Sequence, residues 1–207
     1  AGGATALAAT NFDVTGTTTV NSTAAVTFNS ELNGDVTVTA AGAGSGFTNV
    51  EFGGDVTTNS ANVTIKNSTI AGDFDATGKA VTLEGTLTVT GAIKGVANVV
   101  TTGADAATKA AIANAKALAE AQALVDPVAF VTSTTVGKVK LSNTAVTLEY
   151  SVNGATYDDC TATNTEIAAN IGDKIVVRVK ATPAAKKELT VASSNIGPAT
   201  MIGAAIV

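Results

Sequence analysis

Short runs of alternating apolar and polar residues fill the first half of the chain, and they recur at a nearly constant interval. Three runs align on a Gly-Asp pair: FNSELNGDV (28–36), FTNVEFGGDV (47–56) and IKNSTIAGDF (65–74). The aspartates lie 20 and then 18 residues apart. An interval of this length is typical of one coil of a β-solenoid, in which short strands stack from coil to coil.

Two folds are compatible with this pattern in residues 14–103. In a solenoid, the segments Val26-Thr-Phe, Val63-Thr-Ile and Val81-Thr-Leu would stack in register as a column. In an antiparallel sandwich of hairpins, strands also recur about every 8 to 12 residues. The pattern leaves both folds open for this region, which follows an N-terminal arm at 1–13.

Residues 104–126 (ADAATKAAIANAKALAEAQALVD) change character and predict one helix. Alanine has the highest helix propensity, and Thr102 or Asp105 could cap the start. Asp126-Pro127 ends the helix, because the residue before proline disfavours helical backbone. We expect this helix to be a packing strut between the two halves of the chain.

Alternating strand patterns return over residues 127–193. Asn153-Gly154 predicts a hairpin turn with positive φ, and Gly172-Asp173 precedes the strongest alternating strand. These features indicate a small β-sandwich at 127–193, followed by a C-terminal strand at 194–207. The predicted fold is therefore mainly β, with a solenoid-like or sandwich region, one Ala-rich helix and a C-terminal sandwich module.

Two stretches of this second half carry a family resemblance: LEYSVNGAT (148–156) and GDKIVVRVKA (172–181). They resemble the small β-sandwich modules of bacterial surface-layer and other cell-surface proteins. Those modules commonly carry an EYS-x-(D/N)-G hairpin followed by GDK-(V/I)-x-VRVKAT. The resemblance is confined to the C-terminal part of the chain, and it implies an extracellular scaffold without a reaction.

The residue inventory removes most catalytic chemistry. The chain has no histidine and a single cysteine, Cys160, so His-based triads, most catalytic zinc sites and an intrachain disulfide are excluded. We therefore predict that the protein is not an enzyme. A carboxylate-based hydrolase of the β-helix type, using Asp73 and Asp75, is the weakest of the alternatives because no basic or aromatic partners accompany the pair.

Carboxylates remain as the candidate ligands for a metal. Asp35, Asp55 and Asp73 occupy the same position of the repeat, and in a solenoid they would form a column. Such a column could bind Ca²⁺, which prefers oxygen ligands. The alternative is that each Gly-Asp pair only marks a turn, with the aspartate bonding to local backbone. No other cofactor is predicted.

Charge and hydropathy limit the partners. The net charge of −5 argues against nucleic acid, and no apolar run reaches the roughly 18 residues of a membrane helix. Low charge and β character fit an exported protein, and we expect an extracellular or cell-surface location with a signal peptide already removed. Asn21, Asn62 and Asn67 begin N-x-Ser/Thr sequons and are candidate glycosylation acceptors.

Small, apolar and uncharged residues make up the segments 1–12 (AGGATALAATNF) and 199–207 (ATMIGAAIV). A strand of this kind favours a sheet edge, either in its own domain or in a neighbouring subunit. The candidate assembly residues are Ala6, Leu7, Phe12, Met201, Ile202, Ile206 and Val207.

The sequence thus predicts an extracellular, self-assembling structural subunit of a filament, pilus-like fibre or surface layer. Copies of the chain would form a homopolymer by β-strand complementation between subunits. The alternative is a cell-surface adhesin or carbohydrate-binding module, with glycans as partners.

Overall fold

A computed structural model describes residues 7–10 and 13–198 of the chain. The chain divides into two compact units, residues 1–116 and 117–207, and the division falls within the helix. The sequence had placed boundaries at 13, 103, 126 and 193, so the observed division gives the first half of the helix to the solenoid region. Each unit is described separately below.

The first unit is a parallel β-solenoid, which decides between the two folds that the repeat left open. Its strands are β1 (Leu7–Thr10), β2 (Thr18–Asn21), β3 (Val26–Asn29), β4 (Val36–Ala40), β5 (Ser45–Thr48), β6 (Glu51–Phe52), β7 (Val56–Thr58), β8 (Val63–Ile70), β9 (Phe74–Asp75), β10 (Thr82–Val89), β11 (Ile93–Lys94) and β12 (Val100–Ala104). One sheet runs β1-β3-β5-β8-β10-β12, with β6 also paired to β8, and the other runs β11-β9-β7-β4-β2. Every pairing is parallel, so the antiparallel sandwich is excluded here.

Rows of inward-facing apolar residues form the core of the solenoid, and three of them run through at least four coils. Because side chains alternate along a strand, each coil places one or two such residues per face, and the same positions meet in the next coil. These three rows are Phe28–Phe47–Ile65–Leu83, Val14–Leu32–Phe52–Ile70–Val89 and Val36–Val56–Phe74–Ile93. The predicted column of β3, β8 and β10 is confirmed, with β5 between its first two members. Phe28 stacks on Phe47 with ring centroids 5.1 Å apart, close to the strand spacing.

The bend between two faces of the solenoid recurs at one position of the repeat. Asn49, Asn67 and Gly85 occupy it in successive coils, with φ values of 54°, 47° and 62°. Asparagine and glycine tolerate this left-handed conformation better than other residues do. The strands β8 and β10 therefore continue through the bend and contribute to two faces.

Helix α1 (Ala106–Val125) begins where the next coil would lie. Asp105 caps it, because its Oδ1 accepts the Thr108 N–H at 2.8 Å; that bond, followed by one from Thr86, lowers the pKa of Asp105. The Thr108 hydroxyl in turn accepts the Leu87 N–H at 2.8 Å, and Ile112 is buried in the solenoid core. The sequence had proposed Asp105 as one of two caps and had placed the ends of the helix within two residues.

The second unit contains two antiparallel sheets that share one core. Its strands are β13 (Ala129–Val131), β14 (Lys138–Thr144), β15 (Leu148–Val152), β16 (Asp158–Asp159), β17 (Thr163–Ala168), β18 (Lys174–Val179) and β19 (Thr182–Thr190), followed by a 3₁₀ turn at Ser193–Asn195. The sheets run β13-β14-β17 and β16-β15-β18-β19. The buried residues of both sheets form one cluster, joined by Ala121 and Val125 of α1. The turn after β15 has positive φ at Asn153 and Gly154, as the sequence predicted.

No helix in the described part of the chain is both long and apolar enough to span a membrane. The longest one, α1, carries polar and charged side chains along its length.

Thr58 offers a test of the solenoid interior. This residue is fully buried, and its hydroxyl has no hydrogen-bond partner in the described structure. Replacing a buried hydroxyl that lacks a partner by a methyl group of similar shape removes a desolvation cost. We expect Thr58→Val to raise the free energy of unfolding by about 1 kcal/mol in urea denaturation.

The control for this prediction is Thr57→Val. Thr57 is half-buried and points outward from the same strand, so its substitution should change the free energy of unfolding by less than about 0.5 kcal/mol. Loss of stability in Thr58→Val would show that the hydroxyl has a partner in solution, such as a bound water.

Candidate functional site

The three predicted aspartates form a continuous column along one edge of the solenoid. Asp35 Oδ1 accepts the backbone N–H of Asp55 at 2.9 Å, and Asp55 Oδ1 accepts that of Asp73 at 2.8 Å. Asp73 Oδ1 continues the pattern by accepting the Ala92 N–H at 2.7 Å. Each carboxylate therefore bonds to the coil that follows it, and the column joins four coils.

The glycine at this corner is required by the contact in the three coils that accept an aspartate. A Cβ atom built on Gly54 would overlap Asp35 Oδ1, one on Gly72 would overlap Asp55 Oδ1, and one on Gly91 would overlap Asp73 Oδ1. None of these glycines has a positive φ, so the requirement is one of space. At Gly54 and Gly72 the Gly-Asp motif thus has a structural explanation: the glycine makes room for the aspartate of the preceding coil. At Gly34 a Cβ would instead overlap the backbone of Gly16.

A lysine closes the column where the aspartates stop. The coil after Asp73, which is the fifth of the solenoid and the last that the column joins, carries Ala92 at this position. Lys94 of the same coil places its Nζ 2.6 Å from Asp73 Oδ2. The hydrogen bond from Lys94, followed by that from the Ala92 N–H, lowers the pKa of Asp73. The same contact raises the pKa of Lys94, and the charges of Asp75 and Asp55 add to that effect. Both side chains are more than a third exposed, so this ion pair adds little to stability.

The column does not gather its carboxylates into a metal-binding cluster in the described part of the chain. There, no three Asp, Glu, Cys or His side chains converge in a geometry that could hold a metal ion. The Oδ1 atoms of Asp35, Asp55 and Asp73 each accept a backbone N–H, and Asp73 Oδ2 is bound by Lys94 as well. Calcium binding here stays a prediction. Asp75, the partner of Asp73 in the hydrolase alternative, accepts the Thr77 N–H at 2.6 Å.

The sequon asparagines lie on the surface of the solenoid. Asn21, Asn62 and Asn67 are all exposed. The Asn62 amide donates to the Ala41 carbonyl at 3.0 Å, and the Asn67 side-chain oxygen accepts the Thr86 N–H at 3.3 Å. Two of the three side chains therefore bridge neighbouring coils, and glycosylation of these residues stays a prediction.

A shallow groove of about 350 Å³ lies on the solenoid face formed by β6 and the second halves of β8 and β10. It is lined by Asn33, Glu51, Phe52, Gly53, Thr69, Ile70, Ala71, Thr88 and Thr90. The groove forms in one row of outward-facing positions, at which successive coils carry Asn33, Gly53, Ala71 and Thr90. The small residues Gly53 and Ala71 lie between the two larger ones. Gly53 is small for a structural reason, since a Cβ there would lie 2.7 Å from the Asn33 carbonyl oxygen.

Most of the predicted assembly residues lie outside the described ranges. Leu7 belongs to β1, which among the described strands is an edge strand of the larger solenoid sheet and pairs with β3 alone. Ala6, Phe12, Met201, Ile202, Ile206 and Val207 lie at 1–6, 11–12 and 199–207, outside the described residues. The prediction that these residues mediate assembly is therefore neither supported nor contradicted.

Sequence reasoning missed two side chains that connect β19 with the end of α1 in the second unit. The Gln122 amide pairs with the backbone of Lys186 on β19, accepting its N–H and donating to its carbonyl oxygen, both at 3.2 Å. Lys187 Nζ reaches back to the Asp126 carbonyl and lies 2.8 Å from that of Val128. A helix residue and a strand residue more than 60 positions apart carry no joint signal in one sequence.

The stacking contact at the Gly-Asp corner predicts that alanine substitution at two equivalent glycines changes the free energy of unfolding by very different amounts. Gly72→Ala should lower the free energy of unfolding by about 1–3 kcal/mol, because the added Cβ overlaps Asp55 Oδ1 and lies 2.7 Å from the Gly54 carbonyl carbon. Gly16 occupies the same corner in the first coil and has nothing within 4 Å of a Cβ.

Gly16→Ala is accordingly the control. It should be neutral or stabilising by about 0.4–1 kcal/mol, since alanine restricts the unfolded chain more than glycine does. Urea denaturation of both variants beside the unsubstituted chain measures the difference. Equal effects of the two substitutions would contradict the close stacking of coils.

The Asp73–Lys94 contact predicts a measurable pH dependence. The pKa of Asp73 lies below 3.8 in the folded state, so its contribution to stability is present above pH 3.8 and is lost as the pH falls through the folded-state pKa. In Lys94→Met the pKa of Asp73 should rise but stay below 3.8, because the Ala92 N–H still bonds to it.

Carboxyl carbon shifts followed by NMR across a pH titration give the pKa of Asp73 directly. Lys79→Met is the control, because Lys79 is exposed and is in no ion pair of the described structure. An unchanged pKa in Lys94→Met would mean that the ion pair does not form in solution.

Comparison with known proteins identifies no relative on which a function could be based: no family model, no curated protein and no solved structure matches the chain. The resemblance of residues 148–156 and 172–181 to surface-layer modules therefore stays a prediction based on those motifs.

Proposed function

We propose that this chain is an extracellular structural subunit that assembles with copies of itself into a filament, fibre or surface layer. Subunits would join by adding a β-strand of one copy to a sheet edge of the next. The observation that carries the proposal is the number of sheet edges that the described chain offers, in the solenoid and in the second unit alike.

The solenoid is suited to such addition by its regularity. Within each parallel sheet, backbone groups bond to the coil before and the coil after, so a terminal strand has one side without a neighbour. The terminal strands here are β1 and β12 of one sheet and β2 and β11 of the other. A strand from a second copy could continue the same hydrogen-bond pattern and bury apolar area worth roughly 25 cal/mol per Å².

The residue inventory supports a structural role. The chain has no histidine, and its one cysteine, Cys160, is buried with a pKa raised mainly by that burial. A buried thiol with a raised pKa is a poor nucleophile. The apolar segments 1–12 and 199–207 and the resemblance to surface modules point in the same direction.

The alternative function, an adhesin or carbohydrate-binding module, is favoured by the groove beside Gly53 and Ala71. Hydroxyl, amide and carboxylate groups from Thr69, Asn33 and Glu51 line it, and such groups bond to sugars. The one aromatic residue in its described lining, Phe52, is only 2% exposed, so its ring belongs to the core and offers no surface for stacking on a sugar. In the second unit the Arg178 guanidinium carbon lies 3.4 Å from the centroid of the Tyr157 ring. One face of that ring is therefore covered and is not open to stacking on a sugar.

Electron microscopy of negatively stained protein tests the proposed function. We expect the intact chain to form fibres or sheets, and a variant lacking 199–207 or one lacking 1–12 to remain a soluble, folded monomer. Sedimentation velocity at several concentrations gives the size distribution, and circular dichroism confirms that each variant is folded.

A monodisperse monomer of the intact chain at high concentration would contradict assembly. Binding to a glycan array, with Glu51→Gln as the variant, would then test the alternative function.

A further inference from the structure

The sheet edges of the second unit differ in how well they are protected. In the described structure, the middle residue of the nine-residue strand β19 is Lys186, and the Gln122 amide occupies its outward N–H and C=O. A foreign strand cannot pair along β19 without displacing this side chain. The edge strands β13 and β16 have three and two residues, too short to hold a long partner.

The remaining edge strand, β17, is six residues long and, within residues 13–198, pairs with β14 alone. No described side chain bonds to the outer backbone of its last three residues. Thr165 and Ile167 point into the core, and Glu166 and Ala168 are exposed. Natural sheets usually block such an edge with charge, a bulge or a covering element. In β17 the register irregularity lies at its first residues, and the charge of Glu166, whose carboxylate accepts the Thr135 hydroxyl, is the one charge on the strand.

The hydrogen-bond pattern shows which backbone groups of β17 face outward. The Lys138 carbonyl accepts the Gly197 N–H at 2.9 Å, on the side of β14 away from β17. Lys138 is paired in register with Ala168. In an antiparallel pair, two residues opposite each other either bond to each other or both point away. The N–H and C=O of Ala168 therefore point to the free edge, and by alternation those of Glu166 do too.

We infer that this outer edge of β17 is the acceptor for residues 199–207 of a second copy of the chain. The inference rests on the proposed function and names the surface that it uses. Two backbone positions, Glu166 and Ala168, would bond to the incoming strand. Its apolar side chains would extend the buried face that Thr165 and Ile167 form with Val139 and Leu141.

The segment 199–207 matches this edge in length and in pattern. Its nine residues are enough to pair along the six of β17. Ile202, Ala204 and Ile206 alternate, so an extended strand directs all three to one face. The segment has no charged residue and no proline, so each of its N–H groups can donate to a sheet.

Proline substitution on the full-length chain tests the inference. Ala168→Pro removes an outward N–H without removing a bond to β14, and it should leave the protein folded and shift it from assemblies to monomers in sedimentation velocity. The matched control is Glu188→Pro, which removes an outward N–H from the edge that Gln122 already closes. This control should assemble like the unsubstituted chain.

Hydrogen exchange of the unsubstituted chain gives a second measurement that needs no substitution. In the assembled protein, the amides of Glu166 and Ala168 should exchange at least about tenfold more slowly than in the dilute monomer, and the Glu188 amide should not change. If the proline variants unfold in circular dichroism, this measurement decides alone.

The outcomes separate the acceptor edge from the proposed function. If the intact chain never assembles, the proposed function is wrong. If it assembles and Ala168→Pro assembles equally well, or the Glu166 and Ala168 amides gain no protection, β17 is not the acceptor and the function stands. If those amides are equally protected in the dilute monomer, the edge is already closed within a single copy and the inference is wrong.

Discussion

The fold of the first unit depends on how closely successive coils approach each other at the Gly-Asp corner. A side chain on the glycine would overlap the carboxylate of the preceding coil, and that carboxylate holds the N–H of the residue after the glycine. Each corner therefore fixes both the distance and the register between two coils. With the register fixed, the phenylalanine, isoleucine and leucine rows meet in the core, although the chain has few large side chains.

Buried hydroxyl groups complete the stacking where the backbone ladder is interrupted. Ser45 and Ser68 accept the N–H groups of Val26 and Val50, each from the preceding coil. Thr108 does the same for Leu87 from the first turns of the helix. The helix thus ends the solenoid by satisfying a donor that another coil would otherwise have satisfied, which is the task of a terminal cap in a repeat protein.

The sequence predicted those features whose signal is local or periodic. The interval between Asp35, Asp55 and Asp73 indicated a coil, Asn153-Gly154 indicated a turn, and the Ala-rich run before Pro127 indicated the helix. The sequence could not distinguish a solenoid from a sandwich in the first unit, because both folds place short alternating strands at similar spacing. They differ only in which strands pair.

The parts of the candidate sites that could not be predicted depend on contacts between distant residues. Ala92 and Lys94 end the acidic column, but a single sequence does not show that they face Asp73. Gln122 and Lys187 act on groups far along the chain, and neither belongs to a recognisable motif. The sequence shows the shared repeat position of the aspartates, which suggests calcium ligands, but it does not show the backbone N–H groups that their carboxylates bind.

The aspartate column also bears on how such a chain can change over evolution. The group that each aspartate recognises is a backbone N–H, which every residue except proline supplies, and Ala92 shows that the acceptor coil needs no aspartate of its own. A gene duplication that inserts one whole coil would reproduce both sides of the contact at once. The number of coils is therefore free to vary by tandem duplication, while insertions of other lengths would break the register.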